Sequence, residues 1–210
     1  MSEKLPSIYD GILLGEVDTV CEGVDKALDD NIPADEILRD GMIPAMDEVG
    51  LLFEGGEYFI PDMLLAARAM KEGLAILEPL LVRSGVKSVG KVVLGTVSGD
   101  MHDIGKNLVG MMLQGAGFAV QDLGVDVDPE QFVTAVQKGV DVLGLSAMLT
   151  TTLPSMENVI NTIEEAGLRS HARIMVGGAP VTAEYAQQIG ADGYMPDASQ
   201  AVTLAKSLIG

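Results

Sequence analysis

The stretch that most constrains the fold of this chain is the loop from Ser98 to Asn107, with the sequence SGDMHDIGKN. An apolar run rich in β-branched residues, 92–97, precedes the loop, and apolar residues at helical spacing, 108–113, follow it. The run predicts a buried strand and the spacing predicts a helix. In open parallel sheets, ligands bind outside the carboxyl ends of the strands. The sequence therefore predicts that this strand-to-helix loop forms part of a binding site.

The rest of the second part of the chain continues the alternation of strands and helices. Strands are predicted at 91–97, 118–123, 141–147, 172–177 and 192–195, and helices at 104–116, 128–138, 154–167, 182–189 and 198–209. The strands are continuous apolar runs, as expected when helices cover both faces of a sheet. This order predicts right-handed βαβ units in a five-stranded parallel sheet of the flavodoxin-like (Rossmann-like) α/β class.

The first part of the chain is predicted to be helical only and to form a small bundle. Helices are expected at 3–14 and 16–30, from Pro33 with a kink or restart at Pro44, and from Pro61 to about residue 82. A stretch of Gly, Ser and Lys at 83–90 has no apolar periodicity and predicts a linker. We therefore expect a helical domain at 1–86 and an α/β domain at 87–210.

Composition excludes several classes of protein. The net charge of −18 argues against nucleic-acid binding, because contacts to phosphates need a basic surface. The apolar stretches are too short to cross a membrane and the N-terminus does not resemble a secretory leader, so we expect a cytoplasmic protein with no membrane partner. The single cysteine, Cys21, rules out a disulfide framework and a multi-thiolate zinc site.

His102 and Asp100 are the chemically notable side chains of the loop. A metal site made by the protein alone needs three or four ligands, and His102, His171 and Cys21 lie in separate segments. One histidine would suffice if a cofactor brought the other ligands, and Asp100 could then fix the imidazole tautomer. The other interpretation is a polar loop histidine at the start of a helix. These residues alone leave both interpretations open.

Two phosphate-related interpretations of the loop are weaker. Gly99 and Gly105-Lys106 nearly match the P-loop pattern, but five residues separate the glycines instead of four, and Asn107 replaces the required hydroxyl. We exclude a P-loop on those grounds. Asp100 as a phosphate-accepting aspartate would need an acidic pair at the end of the first strand, which is missing.

The spacing of several motifs resembles that of cobalamin-binding proteins. Residues 100–105, DMHDIG, resemble the D-x-H-x-x-G signature, and after 40 intervening residues Ser146 and Met148 stand where the family has S-x-L. Another 28 residues separate Met148 from Gly177-Gly178. In the helical part, 53–61 and 66–70 resemble the cap domain of methyl-transferring corrinoid proteins. Nearly the whole chain resembles a stand-alone corrinoid protein of a methyltransferase system, of the methylamine, methanol, methoxyaryl or glycine betaine type. It also resembles the cap and cobalamin-binding modules of methionine synthase.

The resemblance implies a cofactor and a set of binding residues. The cofactor would be cobalamin or a related corrinoid, bound base-off/His-on with His102 as the lower axial ligand of cobalt. Asp100 would orient His102, and Thr152 would complete the relay, where methionine synthases usually have serine. The other expected contacts with the cofactor are, from the loop, Gly99, Met101, Asp103, Ile104 and Gly105, then Met148, and, around the nucleotide tail, Ser146, Thr150, Gly177, Gly178 and Ala198. Phe53, Ile60 and Met63 would cover the methyl group, although residues at this spacing are as readily part of a bundle core.

The resemblance also implies a function. The chain would shuttle a methyl group through Co(I) and methyl-Co(III), with methylcobalamin as the loaded state, and would be a carrier component, not a catalyst on its own. Its partners would be a substrate:corrinoid methyltransferase, a corrinoid:tetrahydrofolate or corrinoid:coenzyme M methyltransferase, and a reductive activation protein. One alternative is the cobalamin subunit of an isomerase, which should lack the helical cap. The others are a cobalamin sensor and a cobalamin-free flavodoxin-like or receiver domain.

Overall fold

The computed structural model of the protein describes residues 5–84 and 88–210. The chain divides into a helical unit, which extends to Ser88 and includes Gln114–Gly117, and an α/β unit made of the remaining residues from Val89 to Gly210. The boundary predicted between residues 86 and 87, and the centre of the predicted linker, lie outside the described residues. Among those residues, no helix combines the length and the apolar composition that crossing a bilayer requires.

The helical unit contains the helices that the apolar spacing predicts. They are α1 Pro6–Leu14, α2 Val17–Asp29, α3 Ala34–Glu36, α4 Ile43–Glu54 and α5 Ile60–Ser84, with a π-helical stretch at Ile37–Met42. Buried apolar residues such as Ile8, Ile12 and Met70 form the interior of this unit. The π-helical stretch was not predicted, and α-helical geometry restarts at Ile43, one residue before Pro44. A proline is tolerated there because the first turn of a helix leaves its N–H groups unpaired.

The α/β unit is a five-stranded parallel sheet in the order β2-β1-β3-β4-β5, which confirms the predicted fold class. Its strands are β1 Lys91–Thr96, β2 Ala119–Asp122, β3 Val142–Ser146, β4 Arg173–Gly177 and β5 Gly193–Met195. Its helices are α6 Ile104–Gly115, α7 Pro129–Gln137, α8 Leu153–Glu165, α9 Ala183–Gln188 and α10 Ala198–Ile209.

The register of the sheet aligns the carboxyl ends of four strands. Thr96 of β1 lies opposite Ser146 of β3, Ser146 lies opposite Gly177 of β4, and Gly177 lies opposite Met195 of β5. The helices cover a core in which Phe132 is fully buried. The loops that leave these strand ends therefore start from one row, and this row positions the candidate site.

Candidate functional site

Asp100 is the centre of the candidate site. Its side chain is fully buried in the loop that follows β1, although it carries a charge. One carboxylate oxygen, Oδ1, accepts the backbone N–H of His102 at 3.1 Å and lies 2.7 Å from the ring Nδ1 of His102. The other oxygen, Oδ2, accepts the backbone N–H of Met148 and the hydroxyl of Thr152, each at 2.7 Å, and the N–H of Leu149 at 3.3 Å. One carboxylate thus joins the loops that follow β1 and β3.

The hydrogen bonds decide the protonation state of Asp100. Burial alone would raise the pKa of this carboxyl, but the bonds from Met148, Thr152 and His102 outweigh burial and hold the pKa well below its usual range. Asp100 is therefore ionised at neutral pH and accepts the Nδ1–H of His102. A neutral imidazole protonated at Nδ1 carries its free lone pair on Nε2.

His102 combines this fixed tautomer with an accessible ring. Its side chain is 54% exposed, and Nε2 has no hydrogen-bond partner within residues 5–84 and 88–210. In the same residues, no group of three or more His, Cys, Asp or Glu side chains is placed to hold a metal ion. A metal at Nε2 must therefore bring its remaining ligands with it, as a metal chelated by a macrocycle does.

Exposed apolar side chains lie in the same two loops. Met101 and Ile104 follow β1 and are 69% and 80% exposed, and Met148 and Leu149 follow β3 and are also exposed. A Cβ atom added to Gly105 would meet nothing within 4 Å, so there is open space beside this glycine. Exposed apolar surface of this kind marks a binding site more often than plain surface does. The donor set, the apolar side chains and the open space together fit a flat, largely apolar metal macrocycle.

The residues predicted for the nucleotide tail follow the aligned strand ends. Ser146 ends β3, Gly177 ends β4, and the buried Ala198 begins α10 after β5. Thr150 is exposed in the loop that follows β3, and Gly178 comes directly after β4. The described geometry therefore places all five at the carboxyl side of the sheet.

The residues predicted for the cap lie at the end of α4 and the start of α5. Phe53 is half-buried, Ile60 is 49% exposed and Met63 is fully buried. Sequence reasoning did not single out Phe59, which is the most exposed of the large apolar side chains in this segment. The stretch from Phe59 to Leu65 carries three further exposed large apolar residues, so its surface is unusually apolar.

Three residues around the loop were not found from the sequence. Thr96 donates its hydroxyl to the carbonyl oxygen of His102, and Asp126 accepts the backbone N–H of Gly99. Lys106 is buried and pairs with Asp122 at the end of β2. Thr96 stands in an apolar strand pattern and Asp126 in a loop with several acids, so neither carried a signal of its own.

Two family models match the chain. A model described as "B12 binding domain" matches residues 90–203, and a second model with the same description matches residues 6–78. The first match covers most of the α/β unit and more than half of the chain, and the second covers most of the helical unit. The cap that a cobalamin-dependent isomerase subunit should lack is therefore present.

Curated relatives match over nearly the full length. A corrinoid protein of Desulfitobacterium hafniense is 41% identical over 210 residues, covering 98% of this chain and 97% of the relative. Dimethylamine corrinoid protein 3 of Methanosarcina acetivorans is 44% identical over 206 residues, covering 98% of this chain and 96% of the relative.

Among solved structures, the methanol:cobalamin methyltransferase complex MtaBC of Methanosarcina barkeri contains a similar chain. It superposes with a TM-score of 0.88 at 32% identity, covering 99% of this chain and 80% of that chain. A cobalamin-binding protein of Desulfitobacterium hafniense superposes with a TM-score of 0.80 at 32% identity, covering 97% of each chain. The fold and these matches together define the chain as a B12-binding protein.

This chain belongs to the corrinoid proteins of methyltransferase systems, which confirms the resemblance predicted from its sequence. The predicted cofactor class, cobalamin or a related corrinoid, is likewise confirmed. The base-off/His-on state and the individual contact residues stay predictions.

Proposed function

We propose that this protein carries a methyl group between two methyltransferases on a bound corrinoid, with His102 as the lower axial ligand of the cobalt. The observation that carries the assignment of His102 is its exposed ring, held 2.7 Å from the buried carboxylate of Asp100. The corrinoid supplies the cobalt that receives and releases the methyl group. Relatives named as dimethylamine corrinoid proteins, and a similar chain in a methanol:cobalamin methyltransferase complex, support methyltransferases as the partners.

In this proposal Asp100 and Thr152 act through His102. The Thr152 hydroxyl donates to Oδ2 of Asp100, while Oδ1 accepts from Nδ1 of His102, so the three side chains form one relay. Asp100 holds the tautomer whose lone pair is on Nε2, and the partial charge it shares makes the imidazole a better donor to cobalt.

The remaining predicted residues receive roles that follow from their places in the fold. Ser146, Thr150, Gly177, Gly178 and Ala198 would line the nucleotide tail along the carboxyl side of the sheet. The loop residues Gly99, Met101, Asp103, Ile104 and Gly105, with Met148, would contact the corrin. From the helical unit, Phe53 and Ile60 would shield the methyl group from water, and the buried Met63 would support them by packing.

The partners we propose follow the order of the reaction. A substrate:corrinoid methyltransferase would load the carrier, and a corrinoid:tetrahydrofolate or corrinoid:coenzyme M methyltransferase would unload it. A reductive activation protein would restore the carrier after accidental oxidation of its cobalt. In such a system the methyltransferases select the donor and the acceptor, because each of them binds its own small substrate.

Replacing His102 by alanine tests the axial ligand directly. Apo-protein is loaded with methylcobalamin, and its visible absorption spectrum is recorded beside that of the wild type. We expect His102→Ala to lose the histidine-ligated spectrum, because the protein then offers no imidazole nitrogen to the cobalt. The matched control is His171→Ala, which removes the other histidine, exposed in the 3-10 turn Arg169–His171, and should leave the spectrum unchanged. An unchanged spectrum for His102→Ala would refute the assignment.

Gly105→Ala tests whether the open space beside this glycine belongs to the cofactor. Because the new Cβ would meet no protein atom within 4 Å, the apo-protein should keep its stability or gain up to about 1 kcal/mol from the better helix propensity of alanine. Its affinity for methylcobalamin should fall about tenfold, the cost of a methyl group pressed into a close contact.

The control for Gly105→Ala is Gly110→Ala in the same helix, whose Cβ would meet the side chain of Leu94 at 3.3 Å. That variant should change the unfolding free energy and not the affinity. Urea unfolding measures the unfolding free energy, and equilibrium dialysis measures the affinity for methylcobalamin. Equal affinities of Gly105→Ala and the wild type would show that the ligand does not use this space.

A further inference from the structure

Hydrogen bonds from β1 and from the loop after β2 hold the main chain of the loop that contains His102. These bonds do not involve the Asp100 carboxylate. Thr96, the last residue of β1, is fully buried and donates its hydroxyl to the carbonyl oxygen of His102 at 2.8 Å. Asp126, in the loop after β2, accepts the N–H of Gly99 at 2.7 Å through Oδ1. The N–H of Asp126 also donates to the carbonyl oxygen of Asp100 at 2.9 Å. These bonds bracket the segment from Gly99 to His102.

Thr96 and Asp126 belong to one connected support. The N–H of Thr96 donates to the carbonyl oxygen of Gly124, and the N–H of Val127 donates to the carbonyl oxygen of Thr96, each at 3.0 Å. The end of β1 therefore fixes the loop after β2 on both sides of Asp126. Asp126 itself has a φ of 51°, in the left-handed region that residues other than glycine, asparagine and aspartate rarely adopt. Aspartate is one of the residue types that adopt this conformation, so the turn accommodates Asp126 at the position where its carboxylate meets Gly99.

We propose that Thr96 and Asp126 are positioning residues for His102: they set where its Cα lies and thereby aim Nε2 at the cobalt. The inference rests on the proposed function, because it takes His102 as the axial ligand. The hydrogen bond to Asp100 fixes the rotation of the imidazole ring. If the Cα of His102 were displaced, however, Nε2 would still lie too far from the cobalt to bind it. The hydrogen bonds of both side chains go to main-chain atoms of the loop or to the hydroxyl of Ser98, so Thr96 and Asp126 act on His102 through the backbone.

The variants that test this remove one bond each. Thr96→Val keeps the shape and loses the hydroxyl, and Thr96→Ser keeps the hydroxyl as a rescue. Asp126→Gly loses the carboxylate without strain, because glycine adopts a positive φ freely, and Asp126→Asn keeps an acceptor oxygen and tolerates the same φ. The dissociation constant of methylcobalamin from the apo-protein is measured by equilibrium dialysis at one fixed pH, in the wild-type background and again with His102→Ala.

If the two residues position His102, Thr96→Val and Asp126→Gly should each raise the dissociation constant about three- to tenfold in the wild-type background, the range expected for one lost hydrogen bond. In the His102→Ala background the same changes should alter it less than about twofold, because the ligand through which they act is gone. Thr96→Ser and Asp126→Asn should stay within about twofold of the wild type.

Each other outcome overturns the inference. The same fold-change in both backgrounds would show a general effect on the fold, and so would a lower unfolding temperature with an unchanged dissociation constant. If His102→Ala alone leaves both the spectrum and the dissociation constant unchanged, the proposed function fails at His102 and the inference fails with it. If His102→Ala has its expected effect, but Thr96→Val and Asp126→Gly do not change the dissociation constant more in the wild-type background than in the His102→Ala background, only the inference fails.

Discussion

Replacing Asp100 by asparagine should remove the histidine-ligated spectrum of the loaded protein and lower the unfolding free energy of the apo-protein by about 2–4 kcal/mol. Asparagine has nearly the same shape as aspartate, so the effect does not come from a cavity. It comes from the replacement of one acceptor oxygen by an NH₂ group in a buried place that is lined with donors.

Either orientation of the new amide is unfavourable. With its NH₂ on the Oδ2 side, it faces the backbone N–H groups of Met148 and Leu149, which cannot accept a hydrogen bond. With its NH₂ on the other side, it faces the backbone N–H of His102 and the ring Nδ1. The ring can respond by turning Nδ1 into an acceptor, which moves its proton to Nε2. The nitrogen that should bind cobalt then carries a hydrogen instead of a free lone pair.

The tautomer and the stability of Asp100→Asn can be measured without any cofactor. Nitrogen-15 chemical shifts of the His102 ring in the apo-protein report which nitrogen is protonated, and urea unfolding reports the free energy. The control is Asp141→Asn, which alters an exposed carboxylate that accepts the backbone N–H of Lys91 at the start of β1, and should cost less than about 0.5 kcal/mol. A ring that stays protonated at Nδ1 in Asp100→Asn would contradict this role of the carboxylate.

The same variant predicts a pH dependence. Because hydrogen bonds hold the pKa of Asp100 below its usual range in the folded protein, its ionisation stabilises the fold fully above the unfolded-state pKa of about 4. That stabilisation is lost as the pH falls through the folded-state pKa. The difference in unfolding free energy between wild type and Asp100→Asn should therefore shrink from its value at pH 5 as the pH falls below about 4. A difference that is unchanged at pH 3 would contradict the ionised state of Asp100.

The α/β unit was largely predictable because local pattern and tertiary burial agree there. The apolar run at 91–97 became strand Lys91–Thr96, and the helical pattern at 198–209 became helix Ala198–Ile209. In a parallel sheet covered on both faces, each strand is a short apolar run between polar loops, so its limits are visible in the sequence. The π-helical stretch Ile37–Met42 was not visible, because its apolar spacing is close to that of an α-helix.

The relay was predictable in its members but not in its supports. The spacing of Asp100 and His102 lies within one motif, whereas the contact of Asp126 with Gly99 joins residues 27 positions apart. That contact depends on the pairing of β1 with β2 and on the loop conformation after β2. Asp126 resembles the other acids of its loop in sequence. The polar bond of Thr96 is hidden in the same way, since threonine is a common strand residue.

The Gly177-Gly178 pair shows a different limit of sequence reasoning. The family resemblance implied that both glycines lie around the nucleotide tail. The structure shows approaches from the protein itself: a Cβ on Gly177 would lie 2.7 Å from Cγ of Met195, and one on Gly178 would lie 1.8 Å from the carbonyl oxygen of Ala147. Glycine is thus required at both positions before any ligand binds, and a contact with the tail stays a proposal.

Gly178→Ala should be among the most destabilising single substitutions in the α/β unit. The new Cβ would overlap the backbone of Ala147, which cannot rotate away as a side chain can, and Gly178 has a φ of 129°. Strain at this φ and overpacking together should lower the unfolding free energy of the apo-protein by about 3–5 kcal/mol in urea.

The control for Gly178→Ala is Gly167→Ala, since Gly167 also has a positive φ, 71°, but would meet nothing within 4 Å. That variant isolates the backbone strain and should cost about 1–2 kcal/mol. To relieve the overlap, Gly178→Ala must push Ala147 aside, and the next residue, Met148, donates its N–H to Asp100. Hydrogen exchange at Met148 should therefore become faster in Gly178→Ala and stay unchanged in Gly167→Ala. Equal costs of the two variants would show that the close approach does not constrain the chain, and the link from the glycine pair to the Asp100 relay would be lost.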